Sequence, residues 1–436
     1  MLPSMRLIWL LVGGSPLWLL AVVVPGAELA GMLYLFVLFV LAARELWQAP
    51  RATDLRVQRL LPSRFSYDDL HEIQLELSSG VARRLWVRLR EELPEALETD
   101  QVLFDVELPP EGKCILRYQA RALRRGQYPY GAVVVRVMHG LRLVQRELRL
   151  EAPDVVRIYP RFRGVDSFLL LAKLSQREEA VRQPRRLRGA GSDFESLRPY
   201  APGEDLRQVD WKASARRGSL ISRNRQVERG QQLAILLDAG RLMGSQIGSH
   251  TRLEHAMNAS VRLAYVVQRR GDALALACFS NKIEAFMPSV KGAAVLPQTL
   301  ETLCTVQVQP VESDYWQVVA QSMTRLTRRS LVIMLTDVLD MAGSAGLMSN
   351  LARASARHLV LCVVLSEPRL RVLAEQVPQT PTEAYEKAAA CDLLRRRRLA
   401  LEHMRARGIQ VLETDPEQLS MRLVQRYLEI RQADLQ

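Results

Sequence analysis

Three residue types are scarce in this chain, and each scarcity excludes something. Cysteine occurs five times, as Cys114, Cys278, Cys304, Cys362 and Cys391. No two form C-x-x-C, the number is odd, and most sit in apolar runs as small core residues do. That argues against a disulfide framework or a zinc site and fits a reducing compartment. The six histidines are scattered, and His250 and His255, five apart, do not share the helical face that two metal ligands need. Lysine occurs only at Lys113, Lys173, Lys212, Lys282, Lys291 and Lys387, so the basic residues are almost all arginine, a skew of codon usage rather than of chemistry. The hydrolase signature G-x-S-x-G, the phosphate loop G-x-x-x-x-G-K-[ST] and the zincin motif H-E-x-x-H are all missing. No nucleophile–base pair stands out, and an enzyme is not expected.

What is present fits a globular protein of two or three domains: 436 residues, 48% hydrophobic and 25% charged. The net charge of +13 suits contact with anionic lipid, an acidic partner or nucleic acid. No nucleic-acid reader motif accompanies it, so no specific nucleic acid is expected.

The N-terminus carries two long apolar runs. Leu7 to Val24 holds no charge, Pro25-Gly26-Ala27-Glu28 interrupts, and Leu29 to Ala43 follows, closed by Arg44-Glu45. At ~1.5 Å per helical residue the first run reaches ~27 Å, near the hydrocarbon thickness of a bilayer. The runs predict a transmembrane hairpin over residues 1–47, with helices at about 7–24 and 29–46. Arg6, Arg44, Arg51 and Arg56 flank the pair and only Glu28 lies in the turn, which puts both termini and the soluble domains on the cytoplasmic side. No good A-x-A cleavage site precedes the second run.

Residues 48–161 read as a small β-sandwich-like domain. Glu72–Leu77 and Leu85–Arg90 alternate with period two, and Cys114–Tyr118, Ala132–Val137 and Glu147–Leu150 are further strands. Residues 162–231 read as a basic connector of mixed helix and loop signals, with 13 basic and 8 acidic residues between Arg177 and Arg229. Residues 232–436 alternate strand and helix. Gln232–Asp238 and Leu331–Asp337 are buried strands ending in carboxylates, His358–Leu365 and Ile409–Glu413 are further strands, and Thr382–Arg407 is a long helix. Such alternation predicts a mostly parallel sheet between helices, with ligands at the strand C-termini, where Asp238 and Asp337 fall.

The connector holds a dense motif. Its core is Phe194-Glu195-Ser196-Leu197-Arg198-Pro199-Tyr200-Ala201-Pro202-Gly203-Glu204-Asp205-Leu206-Arg207, followed by Asp210-Trp211 and Ala215-Arg216. It resembles the signature F-x-x-L-R-x-Y-x-P-G-D-D-x-R-x-I-D-W-x-x-x-A-R of the bacterial domain of unknown function family 58, departing at Glu204, where Asp is usual. Arg124-Arg125-Gly126-Gln127-Tyr128 and Gly131 also fit the family's middle segment. The resemblance implies an N-terminal membrane hairpin, a β-rich middle and a von Willebrand factor A-like α/β domain at the C-terminus. It also implies association with MoxR-type AAA+ ATPases. On the residues alone, Arg198, Tyr200, Pro202, Gly203, Asp205, Arg207, Asp210, Trp211, Ala215 and Arg216 form either a clamp onto the α/β domain or a partner-docking surface.

The A-like resemblance raises a metal question. Such domains often hold a divalent cation in Asp-x-Ser-x-Ser after the first strand, with a Thr and a second Asp from later loops, all hard oxygen ligands. Here that motif reads Asp238-Ala239-Gly240-Arg241-Leu242, so both serines are gone. Asp337 can serve as the second acid, Thr336 precedes it, and no loop threonine stands near Lys291-Gly292-Ala293. A complete metal site is not expected. Two carboxylates with waters could hold Mg²⁺ weakly, and hydrogen-bonded strand-end acids are the alternative.

The expectation from the whole chain is a non-enzymatic adaptor in the bacterial inner membrane. It would touch the bilayer through the hairpin and a protein, an AAA+ ATPase, through the A-like domain, with no cofactor and no small-molecule substrate. The alternatives are an enzyme using Asp238 and Asp337, or a basic module gripping anionic lipid or nucleic acid through the connector and Arg395-Arg396-Arg397-Arg398.

Overall fold

The computed structural model describes residues 2–20, 22–24, 26–62, 64–161, 193–200, 209–226, 231–326, 328–338 and 345–433. It divides into two compact units, Met1–Arg161 and Phe162–Gln436.

In the first unit the leading apolar run is not one helix but two, Met5–Gly13 and Ser15–Leu20. The break falls at Gly14, and Pro16 has no N–H to continue the ladder. Tyr34 fills the notch: a Cβ at Gly14 would lie 2.5 Å from its ring, and its hydroxyl donates to the Leu10 carbonyl at 2.6 Å. The second run forms one helix, Ala27–Gln48, the only described helix long and apolar enough to cross a bilayer. Its Leu29, Met32, Leu33, Phe36 and Phe39 are exposed.

Both ends of this apolar stretch meet one β-turn. Leu2–Pro3 pairs antiparallel with Val144 and Gln145, and the Ser4 amide donates to the Leu143 carbonyl at 3.0 Å. Glu45, buried at the other end, accepts from four successive amides: Leu141 (2.5 Å) and Arg142 (3.1 Å) on one oxygen, Leu143 (2.8 Å) and Val144 (3.3 Å) on the other. Consecutive amides aimed at one carboxylate make an anion nest.

The remainder of this unit is β-rich. One sheet runs in the order Leu2–Pro3, Val144–Leu150, Val133–Met138, Leu85–Glu91, Leu103–Leu108, and another in the order Leu55–Leu60, Leu70–Ser79, Lys113–Ala122, Leu97–Glu98. Burial alternates along Leu70–Ser79 and Leu85–Glu91, and Ile73, Leu75 and Leu77 share a core with Val87, Leu89, Val133 and Val135 of the other sheet. Arg59 crosses between the sheets within this core. Its Nε lies 2.6 Å from Glu91 Oε1, its Nη1 3.0 Å from Asp154 Oδ2, and its guanidinium 4.0 Å above the Tyr130 ring.

In the second unit, the stretch expected to mix helix and loop contains a strand pair, Asp193–Pro199 against Ile221–Gln226, around a short helix, Trp211–Arg217. Among the described residues the main sheet of the α/β part has six strands: β1 (Gln232–Asp238), β2 (Ala273–Phe279), β3 (Ile283–Lys291), β4 (Leu331–Thr336), β5 (Leu359–Leu365) and β6 (Gln410–Thr414). Its helices are α1 (Arg252–Arg270), α2 (Val295–Cys304), α3 (Tyr315–Arg325), α4 (Ala345–Ser355), α5 (Pro368–Glu375), α6 (Pro381–Ala406) and α7 (Leu419–Ala433). The strand order is β3-β2-β1-β4-β5-β6, parallel except for β3 at one edge. Strands β1, β4 and β5 are buried almost throughout, as a sheet covered on both faces requires. The order reverses between β1 and β4. There the crossovers leave in opposite directions, which in open α/β sheets is the place where ligands bind at the strand tips.

Candidate functional site

Asp238 ends β1 and Asp337 follows β4, so both acids lie at this reversal. Both are buried, at 1% and 3% exposure. They are held in different ways.

Asp238 is surrounded by hydroxyls. Its Oδ1 accepts from the Gly240 amide at 2.8 Å and from Ser313 Oγ at 2.5 Å. Its Oδ2 accepts from Thr336 Oγ1 at 2.6 Å, and the Tyr315 hydroxyl lies 3.1 Å from both that oxygen and Thr336 Oγ1. A carboxylate offers about four lone-pair positions, and these donors account for them. The hydroxyls missing from the Asp-x-Ser-x-Ser pattern therefore arrive from elsewhere: Ser313 and Tyr315 from the start of α3, and Thr336 from the adjacent strand. Gly240 is what allows this. A Cβ there would lie 2.1 Å from Ser313 Oγ and 3.1 Å from the Val311 carbonyl. Burial and the neighbouring Asp238 push the Tyr315 phenol well above its ordinary range, so it stays a donor.

Asp337 is surrounded by arginines. Its Oδ2 lies 2.6 Å from Arg252 Nη1, and its Oδ1 accepts from the Val338 amide at 2.9 Å and faces Arg397 Nη2 at 3.4 Å. Arg252 also reaches Glu367 at 2.5 Å, and Arg397 reaches Glu413 at 3.7 Å and the Leu365 carbonyl. Both guanidiniums are about 4% exposed. Burial lowers the Arg397 pKa, with Asp337 and Glu413 opposing that shift. Arg252 is the first residue of α1, where the helix dipole disfavours a cation. The two carboxylates it bridges offset that cost. Positive charge at the strand tips is thus supplied by the chain's own side chains. Among the described residues no cluster of three or more His, Cys, Asp or Glu converges as a metal site.

Sequence reasoning found Asp238, Thr336 and Asp337. It missed Ser313, Tyr315, Arg252, Glu367 and Arg397. Arg397 is the one member of Arg395–Arg398 that turns inward, while Arg395 and Arg396 pair with Asp392 on the outer face. Its phase was readable, because it shares a helical face with Ala390, Leu401 and Met404. Arg241, within the degenerate Asp-x-Ser-x-Ser stretch, points outward to Glu312 at 3.5 Å.

The signature residues form a separate local group. Asp210 caps the Trp211–Arg217 helix, accepting from the amides of Lys212 and Ala213 at 3.1 and 3.0 Å. The Tyr200 amide donates to the Leu220 carbonyl, Arg198 stands opposite Ser222 in the strand pair, and Trp211, Ala215 and Arg216 are exposed. Pro202, Gly203, Asp205 and Arg207 lie outside the described residues.

The model of the family "Protein of unknown function DUF58" matches residues 196–393. That span runs from the signature through both strand-end acids into α6. Among curated proteins, Uncharacterized protein YeaD of Bacillus subtilis (strain 168) is 23% identical over 172 residues, 39% of this chain and 40% of the relative. Uncharacterized protein Mb1516 of Mycobacterium bovis is 24% identical over 232 residues, 50% of this chain and 72% of the relative. The chain thus spans two-fifths of the length of the Bacillus relative. Among solved structures, the conserved hypothetical protein BatB from Bacteroides thetaiotaomicron is 14% identical, with a TM-score of 0.29, over 45% of this chain and 98% of that one. The PapD-like domain 7 of human CEP192 is 16% identical, with a TM-score of 0.20, over 25% of this chain and 87% of that one.

Proposed function

We propose that this chain is a membrane-anchored adaptor of the bacterial inner membrane. Its two apolar runs form a hairpin in the bilayer, and both ends and the later domains lie on the cytoplasmic face. Its C-terminal α/β unit acts as a von Willebrand factor A-like domain that docks a protein partner without a bound metal. The partner class is a MoxR-type AAA+ ATPase, as the signature resemblance implies.

One observation carries this reading: the buried Arg252–Asp337 pair, with Arg397 beside it, at the strand tips. A metal-dependent A-like domain uses a cation there to accept a partner's carboxylate. In this chain that charge is already neutralised internally, so recognition falls to side chains on the surrounding helices and loops. The same pairing leaves Asp337 poorly suited as a catalytic acid or base, and the four donors on Asp238 argue the same for that residue. The hairpin reading is supported by the return of both ends of the apolar stretch to the turn at Leu141–Val144.

The test is retention of ATPase by the full chain in lipid nanodiscs, with ATP, with ADP and with 5 mM EDTA. The adaptor reading expects an AAA+ ATPase retained in a nucleotide-dependent manner and unaffected by the chelator. Loss of retention on chelation overturns the metal-independent part, and no ATPase under any nucleotide overturns the partner class.

A further inference from the structure

We propose that the groove between α3 and α4 is the docking site for an acidic segment of the protein partner, anchored by one apolar side chain. This deepens the adaptor reading and rests on it.

The groove is lined by Trp316, Val319 and Met323 of α3 and by Arg353 and Ala354 of α4, and His358 lies among its lining residues. Its volume is about 220 Å³. Small-molecule sites are commonly ~300–1,000 Å³, so this one suits a single large side chain better than a cofactor. A groove between two helices that accepts one anchor is the usual receptor for an amphipathic segment.

Two features give the occupant its chemistry. The Arg353 guanidinium stacks 4.2 Å from the centre of the Trp316 ring and donates to Asn350 Oδ1 at 2.8 Å. Both partners are neutral, so an exposed positive charge stands at the rim, complementary to a carboxylate. The second feature is His358, 3% exposed. Its Nδ1 accepts from the Ser330 amide at 3.3 Å, which places the ring proton on Nε2, and Nε2 is buried with no hydrogen-bond partner in the described structure. Burial, with Arg357 nearby, lowers the pKa and keeps the ring neutral. A buried N–H without an acceptor is uncommon in a finished core. An oxygen from the docked segment would satisfy it once the groove wall yields slightly at that atom.

The groove is also preorganised. Asp314 caps α3, accepting from the Trp316 and Gln317 amides at 3.0 and 3.1 Å, and its neighbours Ser313 and Tyr315 are tied to Asp238. The hydroxyl cluster at the strand tip therefore fixes the helix start that carries Trp316. Tryptophan and arginine held rigidly beside a one-residue groove are the residue types on which protein docking energy concentrates.

The test uses a random 16-residue peptide library displayed on phage, selected on the full chain in lipid nanodiscs and counter-selected on Trp316→Ala. Trp316 and Arg353 are exposed, and unchanged melting confirms that their variants fold. The expected peptides carry one aromatic or leucine residue with Asp or Glu within one turn. They lose at least about ten-fold in affinity on Arg353→Glu, and selection repeated on Arg353→Glu yields Lys- or Arg-bearing peptides instead. Binders indifferent to both variants, or a charge preference that does not invert, overturn the proposal. So does sedimentation showing that Trp316→Ala dissociates a dimer, because the occupant is then a second copy. ATPase retention that persists in Trp316→Ala sinks the groove and leaves the adaptor reading standing. Charge-swapped peptide binding without ATPase retention by the wild-type chain leaves the groove standing and sinks the ATPase reading.

Discussion

Arg252 Nη1 stands 2.6 Å from Asp337 Oδ2, and neither side chain is more than 5% exposed. A buried pair of this kind is weak evidence of stability in itself, but losing one member strands the other charge. Arg252→Met is expected to cost about 3–5 kcal/mol. For a unit of this size that lowers the melting midpoint by roughly 6–20 °C. The double variant Arg252→Met/Asp337→Leu should melt above Arg252→Met alone, which a thermal scan of the nanodisc-embedded chain measures. A double variant that melts lower still would show that the two side chains act independently.

Metal should matter little to this fold. A Mg²⁺ site with a Kd near 1 mM would add about 1.4 kcal/mol at 10 mM, enough to move the midpoint by several degrees. The expected shift between 10 mM Mg²⁺ and excess EDTA is under about 1 °C. Gly240→Ser restores one letter of the metal motif, yet it should destabilise by about 1–3 kcal/mol, because the new Cβ meets Ser313 Oγ. Stabilisation of that variant by Mg²⁺ would contradict the packing described for Asp238.

The cysteines should separate by reactivity. Cys391 is exposed, Cys114 is half-buried with its pKa raised by burial, and Cys278, Cys304 and Cys362 are buried. Burial, with Asp337 adding to it, pushes the Cys362 thiol up to about 12. At pH 8 Cys362 is then held as the thiol rather than the thiolate, the reactive form. Brief iodoacetamide treatment followed by peptide mass spectrometry should show Cys391 modified first, Cys114 slowly, and the other three only after denaturation.

Stability should fall on mild acidification through two histidines. Burial lowers the pKa of both His255 and His358 below the ordinary 6.5. Unfolding restores the ordinary value, so below 6.5 the unfolded chain binds more protons than the folded one and stability drops as pH falls. Above 6.5 this contribution is fully present and flat. The melting midpoint should hold from pH 8 to 7 and decline from about 6.5 towards 5. In the His255→Asn/His358→Asn variant that part of the decline should be shallower.

Much of the architecture was legible in the sequence because burial on both faces leaves a plain mark. The run Leu233–Leu237 before Asp238 and the run Leu331–Leu335 before Thr336-Asp337 could be little other than interior strands. The chemistry between their tips was harder to read, since it depends on residues distant in the chain. Ser313 arrives from a loop with no periodicity, and it reaches Asp238 only because Gly240 lacks a side chain. Arg252, at a helix start, carries no mark in the sequence of Asp337 and Glu367, which close on it from distant parts of the chain. The break at Gly14 was legible in Gly13-Gly14-Ser15-Pro16 but masked by the unbroken hydrophobicity of the run; what the sequence did not show is Tyr34 filling the notch.

Ser4 and Glu45 are fastened to a single turn of the β-rich unit, so the separation between entry and exit of the apolar stretch is set by protein rather than by lipid. If the stretch enters a bilayer as proposed, this shared attachment keeps its two segments from sliding past each other to suit a thinner or thicker one. In any membrane it enters, mismatch must be absorbed by tilt of the whole unit or by local deformation of the lipid. On the proposed reading the anchor would then be a rigid handle to which the lipid adapts.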